Sequence, residues 1–325
     1  ADVGRARAAT DEFVGWLERQ APSKTGPSGI GVANYDWYLK NVQLVPHTWQ
    51  DQVTLMRREL ARSRAALALE EQRNRGLPPH ALVADSAEWQ QRFDAAVTEY
   101  MAFLRDRGVL TVRDYMEPAL RARRGRFSSG PREFFTEVNY RDPIVMRTHD
   151  FHWIDLAQAV SEPHASPIRR GPLLYNIFIT RTEGFATAME ELMTQAGFLE
   201  THPRGKELIY ILVAQRAARA LGDLMMHANQ FTIEQAATFA SSETPRGWLR
   251  IDGRTVWGEQ HLYLQHPTYG TSYLIGKLEI ERLLSDRAQQ LGSAFALKRF
   301  IDEFTAVGMI PMSLVRYEII REPEG

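Results

Sequence analysis

The sequence predicts an all-α protein that forms one multi-helix domain over residues 1–325. Long stretches repeat apolar residues at the helical period of 3.6, and no series of alternating apolar and polar runs indicates a strand ladder. No Pro-, Gly- or Ser-rich segment separates the chain convincingly into two parts. A chain of this length can bury roughly three quarters of the surface that its unfolded form exposes, which is enough for one large core around a central cavity.

Four helical segments are predicted in the N-terminal third. The first places Phe13, Trp16 and Leu17 on one face. The second is an aromatic cluster, which predicts either a short helix packed on the core or an aromatic wall that faces a substrate. The fourth opens with the pattern Asp85-Ser-Ala-Glu88, whose side chains can cap the first turn. In order, these segments cover residues 10–20, 34–40, 48–76 and 85–107.

After Arg107, the first predicted element is a short extended segment at residues 133–142. Pro143 then opens a helix that continues to Val160, because proline fits the first turn of a helix. A break with three prolines follows at 161–172. The remaining predicted helices cover residues 173–197, 203–229, a short segment from 232, 267–291 and 295–307.

The composition excludes several classes of function. A net charge near -1 gives no electrostatic footprint for nucleic acid, and the absence of cysteine removes disulfides, thiolate zinc sites and cysteine nucleophiles. No run of 18 or more apolar residues predicts a membrane span, and the N-terminus lacks the apolar core of a signal peptide. We therefore expect a soluble chain, either cytoplasmic or the mature form of an exported protein. Its expected partner is a small-molecule or peptide substrate, with no nucleic acid or membrane, and the oligomeric state stays open.

The segment from Met146 to Val160 holds four residues that can ligate a metal or move protons, His149, Asp150, His152 and Asp155. Each residue of a regular helix advances by 100°, so His149 and His152 lie 60° apart and Asp155 lies a further 60° round. The neighbouring residues are apolar. This polar band must therefore find partners, because an unpartnered buried polar group costs roughly 1–3 kcal/mol.

Polar stripes also follow the next two long helices. The first stripe consists of Glu183, Thr187 and Glu190. The second consists of Arg219, Asp223 and His227. In the second stripe, Arg219 can pair with Asp223, and Asp223 can hold His227 in one tautomer.

Two interpretations of the stripes stay open. A buried ion-pair network that fixes helix register explains each stripe taken alone. Three stripes on consecutive helices favour a shared site, and histidines with carboxylates suit zinc, manganese or iron. A carboxylate-bridged di-iron bundle is disfavoured, because the sequence lacks a pair of Glu-x-x-His motifs on two helices.

From Gly29 onward, the order of features resembles a bacterial family known as domain of unknown function 885, which is similar to helical zinc metallopeptidases. Members of that family carry His-Glu-x-x-Pro-Gly-His-His, then Glu-Gly-Trp-Ala, then Arg-Ala-x-Arg with Asp-x-x-x-His, and late in the chain Pro-Gly-Gln-Ala-x-x-Tyr-x-Ile-Gly. The matching segments here are Gly29–Tyr38, Glu183–Ala186, Arg216–Arg219, Asp223–His227 and Pro267–Gly276. Chains of the family are usually longer at the N-terminus, so the resemblance implies that this chain corresponds to their C-terminal, site-bearing part.

By position, the resemblance implies one divalent metal, zinc in the first place, held by His149, Asp155 and Glu183. Asp150 would then act as general base to the water that the metal activates. The first motif departs from the family pattern, because Asp150 replaces a glutamate, Asp155 replaces a histidine and Trp153-Ile154 replaces Pro-Gly. The loss of Pro-Gly favours a straighter helix, in which His152 is the alternative third ligand.

The C-terminal motif implies a pocket. The resemblance places Tyr273 beside a developing oxyanion, where His227, oriented by Asp223, would also act. Arg219 would either lock Asp223 or bind a substrate carboxylate. The residues implied in substrate binding are Tyr269, Glu259 and His261. Core packing of both tyrosines is the alternative.

The resulting prediction is a divalent-metal-dependent hydrolase that acts on a peptide-like or other amide or ester substrate. One alternative is a metal-free pseudo-hydrolase that binds a ligand in the same cavity. The other is a metalloenzyme of a different class, with lyase or redox activity.

Overall fold

The computed structural model describes residues 2–171 and 177–320, and within these ranges the chain forms fifteen α-helices and no β-strand. The all-α prediction is therefore confirmed. The helices are α1 (Asp2–Gln20), α2 (Val32–Tyr38), α3 (Trp49–Arg73), α4 (Ser86–Asp106), α5 (Met116–Arg121), α6 (Phe134–Arg141), α7 (Pro143–His149), α8 (Phe151–Ser161), α9 (Ile179–Gln195), α10 (Gly205–His227), α11 (Ile233–Glu243), α12 (Arg254–Gln265), α13 (Tyr269–Leu291), α14 (Leu297–Ala306) and α15 (Met312–Ile320).

Helix α10 is the centre of the fold. It packs against α3, α11, α12 and α13, and nearly all of its residues are buried. Its sequence explains this position, because most of its residues are apolar and its buried charged residues fall mainly in the stripe that contains Arg216, Arg219 and Asp223. The buried stripe must find its partners on the surrounding helices.

Helices α9 and α13 cross at two glycines, Gly184 and Gly276. A Cβ atom on Gly276 would lie 1.9 Å from the carbonyl oxygen of Thr180, and one on Gly184 would lie 2.4 Å from the Cα atom of Gly276. The two backbones are therefore in direct contact, which only glycine allows at this crossing. This contact positions α9, the helix that carries Glu183.

A buried ion-pair network joins α3, α9 and α13 on one side of this crossing. Lys277 Nζ lies 2.7 Å from Glu191 Oε2 and 2.8 Å from Glu281 Oε1. Arg62 donates to both oxygens of Glu191, at 2.9 and 2.8 Å. Buried charges require such partners, because an unpaired one would be strongly destabilising. We call these residues the Lys277 network.

Two predictions about secondary structure are wrong. Residues 133–142 are not extended; they contain α6, whose Phe134 and Val138 are buried one helical turn apart. The predicted helix from Pro143 to Val160 is interrupted at Asp150, where ψ is 0° and the chain passes from α7 to α8. The expected straighter helix is therefore absent.

Most of the other predicted helices are found within a few residues of their expected ends, but α1 begins at Asp2, eight residues before the predicted start at Thr10. In the predicted helix 173–197, residues 173–176 lie outside the described residues. The helix α9 begins at Ile179. The apolar face of α1 is exposed, with Phe13 at 57% and Trp16 at 48%. None of the described helices is both long and apolar enough to cross a lipid bilayer.

His202, between α9 and α10, leads to a prediction about pH and stability. Its Nδ1 and Nε2 atoms each lie 3.0 Å from a carboxylate oxygen, of Asp142 and Glu99 respectively. The hydrogen bond and charge of Asp142, with those of Glu99, raise the pKa of His202 from 6.5 to about 9 although burial opposes the shift. A raised pKa stabilises the fold fully below the unfolded value, and this stabilisation is lost as the pH rises through about 9.

Between pH 6.5 and 9, the free energy of unfolding of the wild type should therefore fall by more than that of His202→Gln, with a difference on the order of 2 kcal/mol after solvent screening. Urea unfolding of both proteins across this range measures the difference. Parallel pH profiles would contradict the assignment of the effect to His202.

Candidate metal centre

Three side chains from consecutive helices form one group that could hold a metal ion: His149, His152 and Glu183. His149 ends α7, His152 lies in the first turn of α8, and Glu183 lies on α9. One ligand atom from each residue lies within 4.8 Å of the others. Two imidazoles and a carboxylate are ligands that zinc commonly accepts, and three protein ligands leave a fourth position open.

The imidazole of His149 is held from behind by Glu190 and Arg216. His149 Nδ1 lies 2.9 Å from Glu190 Oε1 and 3.2 Å from Arg216 Nη2. Arg216 in turn donates to both oxygens of Glu190, at 2.8 and 2.6 Å. When Nδ1–H donates to a carboxylate, Nε2 is unprotonated and its lone pair can bind a metal. Histidines that bind metals in proteins commonly have this arrangement. The residues therefore fit a metal ligand at His149.

Glu183 is shared between the second histidine and a tyrosine. Its Oε2 lies 2.9 Å from His152 Nε2, and its Oε1 accepts a hydrogen bond of 2.9 Å from the Tyr269 hydroxyl. Burial alone would raise the pKa of Glu183, but the charge and hydrogen bond of His152 hold it at about 2. Glu183 is therefore an anion, as a metal ligand requires.

The interruption of the helix at Asp150 places His149 and His152 on either side of a turn. Their ring centroids lie 5.1 Å apart with the ring planes perpendicular. Asp150 itself faces the same cavity, and its Oδ2 lies 3.1 Å from the buried Arg147. Burial raises the pKa of Asp150, with Arg147 opposing the shift. A carboxylate with a raised pKa beside candidate ligands can accept a proton.

Asp155 lines the cavity but is paired elsewhere. Its Oδ1 accepts a hydrogen bond of 2.9 Å from Arg181 Nη2, and its Oδ2 contacts Arg181 Nη1. The structure therefore groups His152, rather than Asp155, with His149 and Glu183. Of the two third ligands expected from the sequence, the geometry favours His152.

The candidate group opens into a cavity of about 560 Å³. Of the other predicted site residues, Arg219, Glu259, Tyr269 and Tyr273 line it. Arg219 contacts Glu259, and its guanidinium carbon lies 4.2 Å from the centre of the Tyr273 ring. The predicted pair of Arg219 with Asp223 is therefore wrong. The carboxylate that contacts Arg219 belongs to Glu259 instead.

Asp223, His227 and His261 are not among the residues that line this cavity. Asp223 accepts a hydrogen bond of 2.7 Å from the backbone N–H of Gly270, and burial raises its pKa to about 8. His227 is fully buried, with Nε2 3.0 Å from the Tyr263 carbonyl oxygen and 3.6 Å from Asp223 Oδ1. His261 is exposed on α12.

The predicted role of His227 at the developing oxyanion and that of His261 in substrate binding are therefore not supported by their positions. Residues that recur every four positions drift by 40° per step around a helix, and eight residues extend roughly 12 Å along it. His227 therefore lies too far along α10 from Arg219 to line the cavity. Asp223 holds the first turn of α13 instead, and thereby the helix that carries Tyr269 and Tyr273.

Three arginines and one glutamate at this site have no predicted role: Arg147, Arg181, Arg216 and Glu190. Glu190 belongs to the polar stripe on α9, and Arg216 belongs to the family motif on α10. The sequence therefore marked both residues as part of a possible site. Arg147 also carried a signal, its i,i+3 spacing from Asp150. Arg181 carried none, because its partner Asp155 lies 26 positions earlier and becomes a neighbour only through the approach of α9 to α8.

In its described residues the chain is thus an all-α protein with a three-residue group that could hold a metal ion. The chain belongs to the family described as bacterial protein of unknown function (DUF885), whose model matches residues 152–319. This range includes His152 and Glu183 and begins three residues after His149.

Two solved structures share the fold. One is a candidate lipoprotein from Colwellia psychrerythraea, with a TM-score of 0.72 and 19% identity over 93% of this chain and 58% of that chain. The other is a candidate lipoprotein of unknown function from Shewanella oneidensis, with a TM-score of 0.74 and 16% identity over 98% of this chain and 65% of that chain. This chain therefore spans less than two thirds of the length of either structure. No curated protein matches the chain.

Glu190 leads to a prediction about metal affinity. Glu190→Gln should weaken zinc binding by about 10–100-fold, the usual effect of removing a residue that orients a ligand, while leaving one zinc per chain at saturation. Competition with a chromophoric chelator measures the affinity. Glu191→Gln is a matched control, because Glu191 is the next residue of α9 but belongs to the Lys277 network. Equal zinc affinities of the two variants would contradict an orienting role for Glu190.

Proposed function

We propose that the protein is a divalent-metal-dependent hydrolase that acts on a peptide-like or other amide or ester substrate. The observation that carries the proposal is the convergence of His149, His152 and Glu183 within 4.8 Å at the wall of a cavity. Support also comes from Glu190, which fixes the His149 tautomer. A divalent ion bound there would polarise a carbonyl group and lower the pKa of a water molecule.

Asp150 is the candidate general base. Its carboxylate lies in the same cavity, where Arg147 and Trp153 contact it, and a carboxylate with two partners keeps acceptor capacity for a proton from the attacking water. Its raised pKa brings it closer to the range in which a base works at neutral pH.

Tyr273 is the candidate donor to the developing oxyanion. Burial raises the pKa of its phenol well above the usual value, so the hydroxyl stays protonated and can donate. Arg219 stacks on its ring and restricts its orientation. Tyr269 donates to Glu183 and so orients a ligand rather than the reacting carbonyl.

The test combines metal content with hydrolysis. Protein purified without chelator is analysed for bound zinc, manganese and iron, and is then screened against amide and ester substrates with and without restored metal. We expect about one equivalent of metal, and activity that is lost on chelation and in Asp150→Asn. Loss of about 10²–10⁴-fold is expected for removal of a general base. No binding of any divalent ion would retire the proposal in favour of a metal-free cavity that binds a ligand.

A further inference from the structure

The residues that line the cavity include a polar set and an apolar set. Helices α9, α10, α12 and α13 supply polar groups, among them Arg219, Glu259 and Tyr273. Six other lining residues come from α6, α8, residues 178–179 at the start of α9, and residue 309. They are apolar: Phe135, Trp153, Leu156, Phe178, Ile179 and Met309. We call this second set the apolar wall.

The apolar wall borders the candidate metal centre directly. Trp153 follows His152 in sequence, and the two ring centroids lie 6.4 Å apart. Leu156 lies four residues after His152 on α8, and residues at this spacing are neighbours on one helix surface. A substrate whose carbonyl reached the centre would therefore place an adjoining group against Trp153 and Leu156.

Contacts within the protein hold several residues of the apolar wall in place. The Arg123 guanidinium carbon lies 3.4 Å from the centre of the Trp153 ring, so the indole is held by a cation–π contact from outside the cavity. Met309 and Phe178 are almost fully buried, at 1% and 5% exposure. Trp153, Leu156 and Phe135 keep partial exposure. A ligand group that covers such an apolar surface removes it from water, which stabilises the complex.

We infer that the substrate carries a bulky apolar group, aromatic or branched aliphatic, next to the carbonyl that reacts. The reaction at that carbonyl rests on the proposed function; the binding of the apolar group rests on the wall alone. A substrate with a small or charged group at this position would leave Trp153 and Leu156 uncovered or would bury a charge without a partner.

Amino-acid hydroxamates test the inference, because the hydroxamate binds zinc and the side chain explores the neighbouring wall. Calorimetric affinities of the zinc-loaded protein are compared for phenylalanine, leucine, glycine and aspartate hydroxamates. We expect phenylalanine and leucine hydroxamates to bind at least about tenfold more tightly than the other two.

Leu156→Gln should reduce this preference at least about threefold, since it places an amide on the wall. Val160→Gln is the matched control, because Val160 lies one turn further along α8, is 82% exposed and does not line the cavity. It should leave the preference unchanged. Thermal unfolding of both variants verifies that they fold.

The zinc-free protein separates this inference from the proposed function. Saturation-transfer NMR with N-acetylphenylalaninamide and N-acetylglycinamide should show the same side-chain preference without metal, and Leu156→Gln should reduce it. If zinc does not bind but the preference is present, the proposed hydrolase fails and the apolar wall stands. If zinc binds but all hydroxamates bind equally, the inference is overturned and the metal centre stands. No preference in either form also overturns it.

Discussion

His149→Ala is expected to lower zinc affinity by more than about 100-fold, because loss of a ligand should exceed the 10–100-fold effect of losing a residue that only orients one. The imidazole belongs to the three-residue group, and its removal leaves two ligands, His152 and Glu183. It also leaves the buried Glu190 with Arg216 as its remaining partner among these residues. Zinc content after dialysis, measured by atomic emission, reports the loss.

His261→Ala is the control for this experiment. His261 is exposed on α12 and lies outside the cavity, so its removal should not change zinc stoichiometry. Thermal unfolding of His149→Ala without zinc shows whether the variant folds. A folded His149→Ala protein that retains one equivalent of tightly bound zinc would place the metal elsewhere.

Gly276→Ala is expected to destabilise the fold by at least about 3 kcal/mol, the upper end of the usual cost of overpacking. The added methyl would lie 1.9 Å from the Thr180 carbonyl oxygen and 2.5 Å from the Gly184 Cα atom. Both neighbours are backbone atoms, so rotation of a side chain cannot relieve the clash. The free energy of unfolding, measured in urea, reports the effect.

Gly258→Ala provides the matched comparison. Gly258 lies within α12, is exposed, and has nothing within 4 Å of the position that a Cβ atom would occupy. The same substitution should stabilise the protein by about 0.5–1 kcal/mol there, because alanine is the better helix former. Equal effects of the two substitutions would show that the crossing of α9 and α13 is not closely packed.

The helices were largely predictable because apolar periodicity and caps are local signals. The helix α3 begins at Trp49 with a capping box from Thr48, and α4 begins after the Asp85 cap, near the predicted starts. Residues 133–142 were mistaken for an extended segment because a helix of two turns shows little periodicity. The interruption at Asp150 could not be predicted, because the sequence around it contains no proline or glycine.

The candidate site was predictable as a set of helices but not as a set of contacts. The polar band on α7 and α8 and the stripe on α9 contain His149, His152 and Glu183, and the structure places these three residues at one cavity. The sequence could not decide between His152 and Asp155, because the choice depends on Arg181, a residue 26 positions later than Asp155 in the chain. His227 was misplaced because regular spacing along α10 does not show how far a cavity extends.

Adjacent carboxylates on α9, Glu190 and Glu191, are bound by different cations on different sides of the helix. Arg216 holds Glu190, whereas Lys277 and Arg62 hold Glu191. A rotation of α9 by one residue, about 100°, would break both sets of ion pairs at once. The conformational entropy of ordering the α9 backbone at Glu183 is therefore lost when the chain folds, and it would not be lost again if an ion bound. An ion would meet a site whose geometry is already set, and exchange of one ion for another should leave the α9 backbone unmoved.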